Sequence, residues 1–286
     1  MREKFMSIYV TSEMASSYIQ YNLNKSTIMF NRSMEQLASG SRIIQSADSP
    51  IGVTDVSRVD FQKSGNSCAL SNLELGTDLL QEAEDEQDLL VENIQRIRDL
   101  SMQAANETYS SSDKDSILAE IRARIDEVNR AADSVNFNGI KLLDGSANNL
   151  TIQAGLTELS SINVGAGLID THSAALGIDI PVGATGATWT TADVEAYLVQ
   201  LDGALGTLTN SRSLLGAYSN RLGSMGINIS NIDINLSAYR STISDTDVAA
   251  ASADIIKYQI LQQAAVNILT QANQMPSRVV SLLSPS

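Results

Sequence analysis

The feature that most constrains this chain is an unbroken seven-residue repeat of apolar side chains. Every seventh position in one stretch is apolar: Val194, Leu201, Leu208, Leu215, Leu222, Ile229, Leu236 and Ile243. A second apolar series lies three or four residues further on and lapses at Arg212: Leu198, Leu205, Tyr218, Met225, Ile232 and Tyr239. Such spacing forms a narrow apolar stripe on a helix, as in the seam of a coiled coil. No proline interrupts the stretch, so it predicts one continuous helix.

The predicted helix is too long for a compact globule made of this chain alone. Roughly fifty residues at about 1.5 Å each give a helix of about 75 Å. A compact chain of 286 residues has a diameter on the order of 50 Å. The chain is therefore predicted to be elongated or part of an assembly, and the helix needs partners along its whole length.

The rest of the sequence predicts those partner helices. We expect helices over residues 11–39, 53–105, 112–132 and 248–275, with residues 1–10 poorly ordered, Ser112 and Asp115 capping the third helix, and Pro276 ending or kinking the last. The first helix carries two stripes: Tyr21 and Ile28 on one face, and Leu23, Phe30 and Leu37 on another. The second has an apolar stripe at Leu79, Ala83, Leu90, Ile94, Ile97, Ser101 and Ala104.

The middle of the chain differs from the two ends. Residues 140–143 read as a strand, and residues 150–153 and 162–164 as a β-hairpin. Residues 165–190 are rich in Gly, Ala and Thr and have no period, which predicts an exposed surface excursion. The predicted fold is mainly α: an elongated coiled-coil or helical-bundle rod with a small β-hairpin region and paired N- and C-terminal helices.

The last helix lacks a charged face. Between Ile255 and Ser286 the only charges are Lys257 and Arg278. A helix without a charged face is normally buried on all sides, and a monomer of this shape has too little mass to bury it. The C-terminal segment therefore predicts a partner, either another copy of the chain or a chaperone.

Composition argues against several classes of function. The net charge is −14 with no basic cluster, which argues against nucleic acid as a partner. No run approaches the roughly 18–20 apolar residues of a membrane span, and the start lacks the apolar stretch of a signal peptide. Taken alone, the sequence predicts a cytoplasmic protein that does not bind membranes.

Nothing in the sequence resembles an enzyme site. His172 is the only histidine, which excludes a His-paired metal site, and no phosphate-binding loop motif occurs. We therefore expect no catalytic residue, metal or cofactor. His172 is interpreted as solvent-exposed, Cys68 as a small apolar packing residue, and Trp189 as covering an apolar patch at the base of the 165–190 loop.

Several blocks resemble the bacterial flagellins. They are NLNKS at 22–26, MEQLASGSRI at 34–43, IQRIRDLSMQAAN at 94–106, FNGIKLLDG at 137–145, and YQILQQAAVNILTQANQMPSRVVSLL at 258–283. They lie in the family's order and reach almost both ends of the chain. The resemblance implies a structural subunit of the flagellar filament used for swimming, not an enzyme.

The resemblance also implies a domain plan. Residues 1–50 and 245–286 would form the inner-core helical domain. Residues 51–164 and 191–244 would form the rod domain with its β-hairpin. Residues 165–190 would replace the outer domains of longer flagellins.

Partners and location follow from the same resemblance. Flagellins leave the cell through the flagellar type III export channel, so the expected location is the extracellular filament. Expected partners are other copies of the chain, an export chaperone on the C-terminal helix, the filament cap, the hook-junction proteins and a flagellin-sensing Toll-like receptor.

The resemblance and the apolar stripes together nominate three sets of residues. The polymerisation core comprises Leu23, Phe30, Leu37, Ile256, Ile260, Leu261 and Leu269. Arg96, Leu100 and Glu120 are expected on an outward face used in subunit packing or receptor recognition. O-glycosylation is expected among Ser173, Thr185, Thr188, Thr190 and Thr191.

Two other functions compete with a filament subunit. One is a hook–filament junction protein of the same superfamily. The other is a secreted coiled-coil effector, whose site would lie within residues 136–190.

Overall fold

Long helices dominate the chain, and two short hairpins lie between them. The computed structural model describes residues 2–155, 160–181 and 183–283. In chain order the elements are α1 (Arg2–Ser39), α2 (Pro50–Ala104), α3 (Ser111–Ser134), β1 (Asn136–Phe137), β2 (Ile140–Lys141), β3 (Thr151–Gln153), β4 (Ser161–Asn163), α4 (Ser173–Leu176), α5 (Thr191–Ser244) and α6 (Val248–Leu283). The predicted fold class, mainly α with a small β-hairpin region and paired terminal helices, is confirmed.

Several helix and strand boundaries differ from the predictions. The first helix begins at Arg2 rather than residue 11. The third is capped by Ser110 and Asp113, two residues before the predicted pair, in a reciprocal capping box. The last helix continues past Pro276 to Leu283, because one proline removes a single backbone hydrogen bond and a helix can resume beyond it. The predicted strand at 140–143 is shorter, since only Ile140 and Lys141 pair with β1.

The chain forms two compact units. Unit 1 contains residues 1–61 and 235–286, and unit 2 contains residues 62–234. Within unit 2, β3 and β4 form the predicted antiparallel hairpin, with Ile152 opposite Ile162. Part of the turn predicted to join these strands, residues 156–159, lies outside the described residues.

The seven-residue repeat of α5 packs into the core of unit 2. Its first six members are buried, from Val194 to Ile229, together with the predicted stripe of α2 and the Leu118, Ile121 and Val128 side chains of α3. Four members of the predicted second series, Leu198, Leu205, Tyr218 and Met225, are partly buried and pack against this core. The last two members, Ile232 and Tyr239, are exposed instead. The buried companion positions are Tyr197, Ala204 and Ser211.

The segment 165–190 is packed into unit 2 rather than lying on its surface as predicted. Its Leu168, Ile178 and Trp189 side chains are buried. The Trp189 ring packs edge-to-face on Tyr197 at 5.7 Å, and the Tyr197 hydroxyl donates to the Ile178 carbonyl at 2.7 Å. The expectation that Trp189 covers an apolar patch is thus consistent with its position.

A buried polar layer joins this segment to α2 and α5. The Ser211 hydroxyl donates to the Gly167 carbonyl at 2.7 Å and accepts from the Gln87 amide nitrogen at 2.9 Å. A Cβ at residue 167 would lie 2.7 Å from a Leu215 methyl carbon, so a larger residue there would require the Leu215 side chain to move. The polar layer explains the predicted gap near Arg212, since the seam position there is Ser211.

Unit 1 contains the predicted pair of terminal helices. The Ser16 hydroxyl donates to the Asn273 side-chain oxygen at 3.1 Å, and the Gln262 amide donates to the Thr27 hydroxyl at 3.2 Å. Both bonds fit one antiparallel register of α1 on α6.

The link between α5 and α6 is tied to the link that follows α1. The Thr246 amide donates to the Gly40 carbonyl at 2.9 Å, and the Arg42 amide donates to the Ser244 carbonyl at 2.7 Å. These bonds fix where the two terminal helices begin their pairing. None of the described helices is long and apolar enough to cross a membrane.

Candidate assembly interface

The α1–α6 pair has an inner seam made by half-buried side chains. Leu23, Phe30 and Leu37 of α1 and Leu269 of α6 are each partly buried. On α1 they recur every seven residues, as the sequence predicted for one of its two stripes. These four members of the predicted polymerisation core therefore contribute to the pairing of α1 with α6 inside one chain.

The other three members of that predicted set are exposed. Ile256 is 58% exposed, Ile260 is 60% exposed and Leu261 is 45% exposed. On α1, a second series of large apolar side chains is exposed as well: Met14, Tyr18, Tyr21, Ile28 and Met34. Tyr21 and Ile28 belong to the second predicted stripe. Met14 was missed, although it lies seven residues before Tyr21.

The described side chains of α1 and α6 hardly form a core. Among the described side chains, α1 has one that is buried, Ser33, and α6 has one, Ala251. Large exposed apolar surfaces on a helix pair mark a protein interaction site. The Lys257 ammonium lies 3.3 Å from the Asp254 carboxylate, so these two charges of α6 partly offset each other.

Of the three residues predicted on an outward face of α2 and α3, two are exposed. The Arg96 guanidinium lies 3.1 Å from the Glu120 carboxylate, and both side chains are almost half exposed. Leu100 is only 2% exposed, so its placement on this face is wrong. It lies three residues after Ile97 on a helix that is buried along a broad stripe.

The predicted glycosylation residues do not share one environment. Ser173 is 3% exposed, which contradicts the expected exposure, because the segment that carries it packs against α3. Thr185, Thr188, Thr190 and Thr191 are exposed. The Thr190 hydroxyl donates to Asp193 at 2.7 Å at the start of α5, and Thr185 and Thr188 hydrogen-bond each other.

Two further predictions need correction. Cys68 is exposed rather than packed inside, because it lies off the apolar stripe of α2. His172 is partly buried and contacts Asp170 and Asp133, since its segment folds back onto α3. Among the described residues, no group of three His, Cys, Asp or Glu side chains is arranged to hold a metal ion.

Family comparisons account for both ends of the chain. Residues 10–148 match the bacterial flagellin N-terminal helical region, and residues 198–283 match the bacterial flagellin C-terminal helical region. The chain belongs to the bacterial flagellin family. Flagellins are structural proteins, and this chain is a subunit of the flagellar filament.

Individual relatives agree along nearly the whole length. A flagellin of Listeria monocytogenes is 32% identical, and the match covers 96% of this chain and 99% of the relative. A flagellar filament 30.7 kDa core protein of Treponema maltophilum is 32% identical with the same two coverages.

A solved structure shares the fold at much lower identity. A protein from Vibrio parahaemolyticus, described as a flagellar hook-associated protein, is 15% identical with a TM-score of 0.57. The likeness covers 69% of this chain and 100% of that chain. At this identity the likeness concerns the fold alone, so it does not favour a hook-junction role over a flagellin.

The two family matches leave residues 149–197 of this flagellin between them. This stretch holds the β3–β4 hairpin, the packed segment 165–190 and the four exposed threonines. The exposed apolar side chains of α1 and α6 described above all lie within the matched regions.

Proposed function

We propose that this flagellin polymerises into an extracellular flagellar filament by packing the exposed apolar faces of α1 and α6 against neighbouring subunits. The observation that carries the proposal is the exposure of Ile256, Ile260 and Leu261 on a helix that already pairs with α1. An isolated helix pair would gain stability by covering these side chains.

The expected energies favour several neighbours per subunit rather than one. Full burial of a large aliphatic side chain gains about 1.5–3 kcal/mol, so three side chains that are about half exposed gain on the order of 2–5 kcal/mol. Association costs about 4–15 kcal/mol in lost freedom. A single contact through α6 would therefore be weak, whereas repeated head-to-tail contacts that also use α1 suit a helical polymer.

Removing the α6 interface tests the proposal. Deletion of residues 255–286 should leave a soluble chain in which Trp189, the only tryptophan, keeps the fluorescence of a buried indole. The truncated chain should form no filaments by negative-stain electron microscopy under conditions where the full chain does. Filaments of normal diameter from the truncated chain would overturn the proposal.

The expected domains and partners form the finer part of the proposal. We propose that residues 1–50 and 245–286 form the inner filament core, that residues 51–164 and 191–244 surround it, and that residues 165–190 stand where longer flagellins carry outer domains. Before assembly, the apolar face of α6 would be covered by an export chaperone. The filament cap and the hook-junction proteins would contact the two ends of the polymer.

The Arg96–Glu120 pair is proposed as a subunit-packing face. Its two exposed charges lie on adjacent helices within hydrogen-bond distance, so a neighbour of complementary charge could engage both. The same surface is the one proposed for recognition by a flagellin-sensing Toll-like receptor. Replacing Arg96 by Ala should weaken either contact without unfolding unit 2.

Glycosylation is proposed only at the exposed hydroxyls. Thr185, Thr188, Thr190 and Thr191 satisfy this requirement, and Ser173 does not. Intact-mass spectrometry of native filaments, followed by peptide mapping of residues 180–196, would detect the added sugar. An unmodified mass would dismiss all four positions.

A further inference from the structure

His172 lies between two carboxylates that belong to different parts of unit 2. Its Nδ1 atom is 2.7 Å from an oxygen of Asp170, two residues earlier in the chain. Its Nε2 atom is 3.7 Å from an oxygen of Asp133, near the end of α3. The imidazole is 29% exposed, so its contacts are only partly screened by water.

The segment around His172 is held to the rest of unit 2 by two hydrogen bonds that its backbone amides donate. The Thr171 amide donates to the Leu143 carbonyl at 2.9 Å, and the Ser173 amide donates to the Asn129 side-chain oxygen at 2.9 Å. Thr171 and Ser173 are both buried. These bonds must break if residues 170–173, here called the docked segment, move away from α3, so protection of the two amides reports on the docking.

The charges facing His172 are mainly acidic. Besides Asp170 and Asp133, Lys141 of β2 lies 2.8 Å from the second oxygen of Asp133, and Asp144 follows Lys141 in the adjoining turn. Arg130, one turn earlier on α3, pairs with Glu127, and α4 carries no charged residue. This arrangement favours a positive charge on the imidazole.

We propose that His172 is a pH-dependent link between the docked segment and α3, and that the link strengthens when the imidazole is protonated. A protonated imidazole carries a hydrogen on both nitrogens and can serve both carboxylates, whereas a neutral one can donate to only one of them. Acidification would thus fasten residues 170–173 to α3.

The direction of the pKa agrees with this geometry. The hydrogen bond to Asp170 raises the pKa of His172, partial burial opposes the rise, and the charges of Asp170 and Asp133 add to it. A raised folded-state pKa gives stability that is fully present below the unfolded pKa of about 6.5 and is lost as the pH rises through the folded pKa.

The titration of His172 is directly measurable because the chain has one histidine. In full-length monomer labelled at histidine, the imidazole NMR signals should titrate with a pKa above about 6.5. Asp133→Asn should lower that pKa, whereas Asp126→Asn, which alters another exposed carboxylate on α3, should leave it unchanged. A pKa at or below about 6.5 in the wild type, or equal values in the wild type and Asp133→Asn, would overturn the proposal.

Hydrogen exchange tests whether the charge fastens the segment. After correction for intrinsic exchange, the Thr171 and Ser173 amides should be more protected at about pH 5 than at about pH 8 in the wild type. The change should disappear in His172→Gln. The change in amide protection between the two pH values should be at most tenfold for each unit by which the His172 pKa, measured by NMR, exceeds its unfolded value. Equal pH dependence in the wild type and His172→Gln would contradict the link.

Discussion

The two units of this flagellin use the same helical spacing and reach opposite degrees of burial. In unit 2, Leu201, Leu208 and Leu215 of α5 are completely buried, because α2, α3 and the packed segment 165–190 contribute to the same core. In unit 1, Leu23 and Phe30 are only half-buried, since two helices bury one stripe each. A seven-residue repeat thus shows that a helix needs partners, but not whether its own chain supplies them.

The largest contrast should appear when the same truncation is made in each unit. Leu208→Ala should cost about 2–5 kcal/mol of unfolding free energy, because it removes atoms from a closed core and leaves a cavity. Leu261→Ala, at a side chain that is 45% exposed, should change the stability of the monomer by less than about 0.5 kcal/mol. Denaturant titrations followed by far-UV circular dichroism and by Trp189 fluorescence measure both.

Similar losses of unfolding free energy in Leu208→Ala and Leu261→Ala would contradict the proposed contrast between the two units. The contrast would be stronger if Leu261→Ala also raised the critical concentration for filament growth and Leu208→Ala did not. That result would assign Leu261 to contacts between subunits.

A smaller effect is expected at the buried polar layer of unit 2. Ser211→Ala should cost about 1–3 kcal/mol, because the Gly167 carbonyl and the Gln87 amide lose their shared partner in a buried site. Ser224→Ala removes a hydroxyl that bonds only within its own helix, to the Asn220 carbonyl, and should cost less than about 0.5 kcal/mol. Equal stability of both variants would mean that the layer does not hold residues 165–167 in place.

The N-terminal cap of α3 should contribute about 0.5–2 kcal/mol to the unfolding free energy. Ser110→Ala should lose this amount, whereas Ser112→Ala, at the position that the sequence suggested, should lose almost nothing. The hydrogen bonds from the Ser110 hydroxyl and amide lower the pKa of Asp113. The part of the stability that comes from the ionised Asp113 carboxylate should therefore be present above the unfolded pKa of about 3.9 and be lost as the pH falls through the lower folded value, whereas the hydrogen bond from the Asp113 amide to the Ser110 hydroxyl should not depend on pH. A larger loss of stability in Ser112→Ala than in Ser110→Ala would place the cap at Ser112, as the sequence predicts.

The smallest effect on the monomer is expected at Ile260. Ile260→Gln should leave the unfolding free energy within about 0.5 kcal/mol, since the side chain is 60% exposed. Filament formation, measured by light scattering and electron microscopy, should nevertheless fall. Normal filament growth by Ile260→Gln and Leu261→Ala together would remove the α6 face from the interface.

Much of unit 2 could be predicted from spacing alone, and the errors have a common cause. The spine of α5 was found because its members are large and apolar. Ala204 and Ser211 were overlooked because small and polar residues carry little pattern, although they occupy seam positions. Leu100 was misplaced because α2 is buried along a stripe wider than a simple two-helix seam.

The candidate interface was predictable in location but not in detail. The lack of charge in residues 255–286 indicated the need for a partner, and the two stripes of α1 indicated two contact surfaces. Which residues face α1 and which face outward depends on the antiparallel register of α1 on α6. That register rests on the pairings of Ser16 with Asn273 and Thr27 with Gln262, which no local pattern encodes.

Side-chain footprinting of monomer and filament tests the central claim most directly. Hydroxyl-radical labelling with mass spectrometry should find Ile256, Ile260 and Leu261 reactive in the monomer and strongly protected in the filament. Leu201 and Leu208 should be protected in both. Equal reactivity of the three α6 side chains before and after polymerisation would contradict assembly through this face.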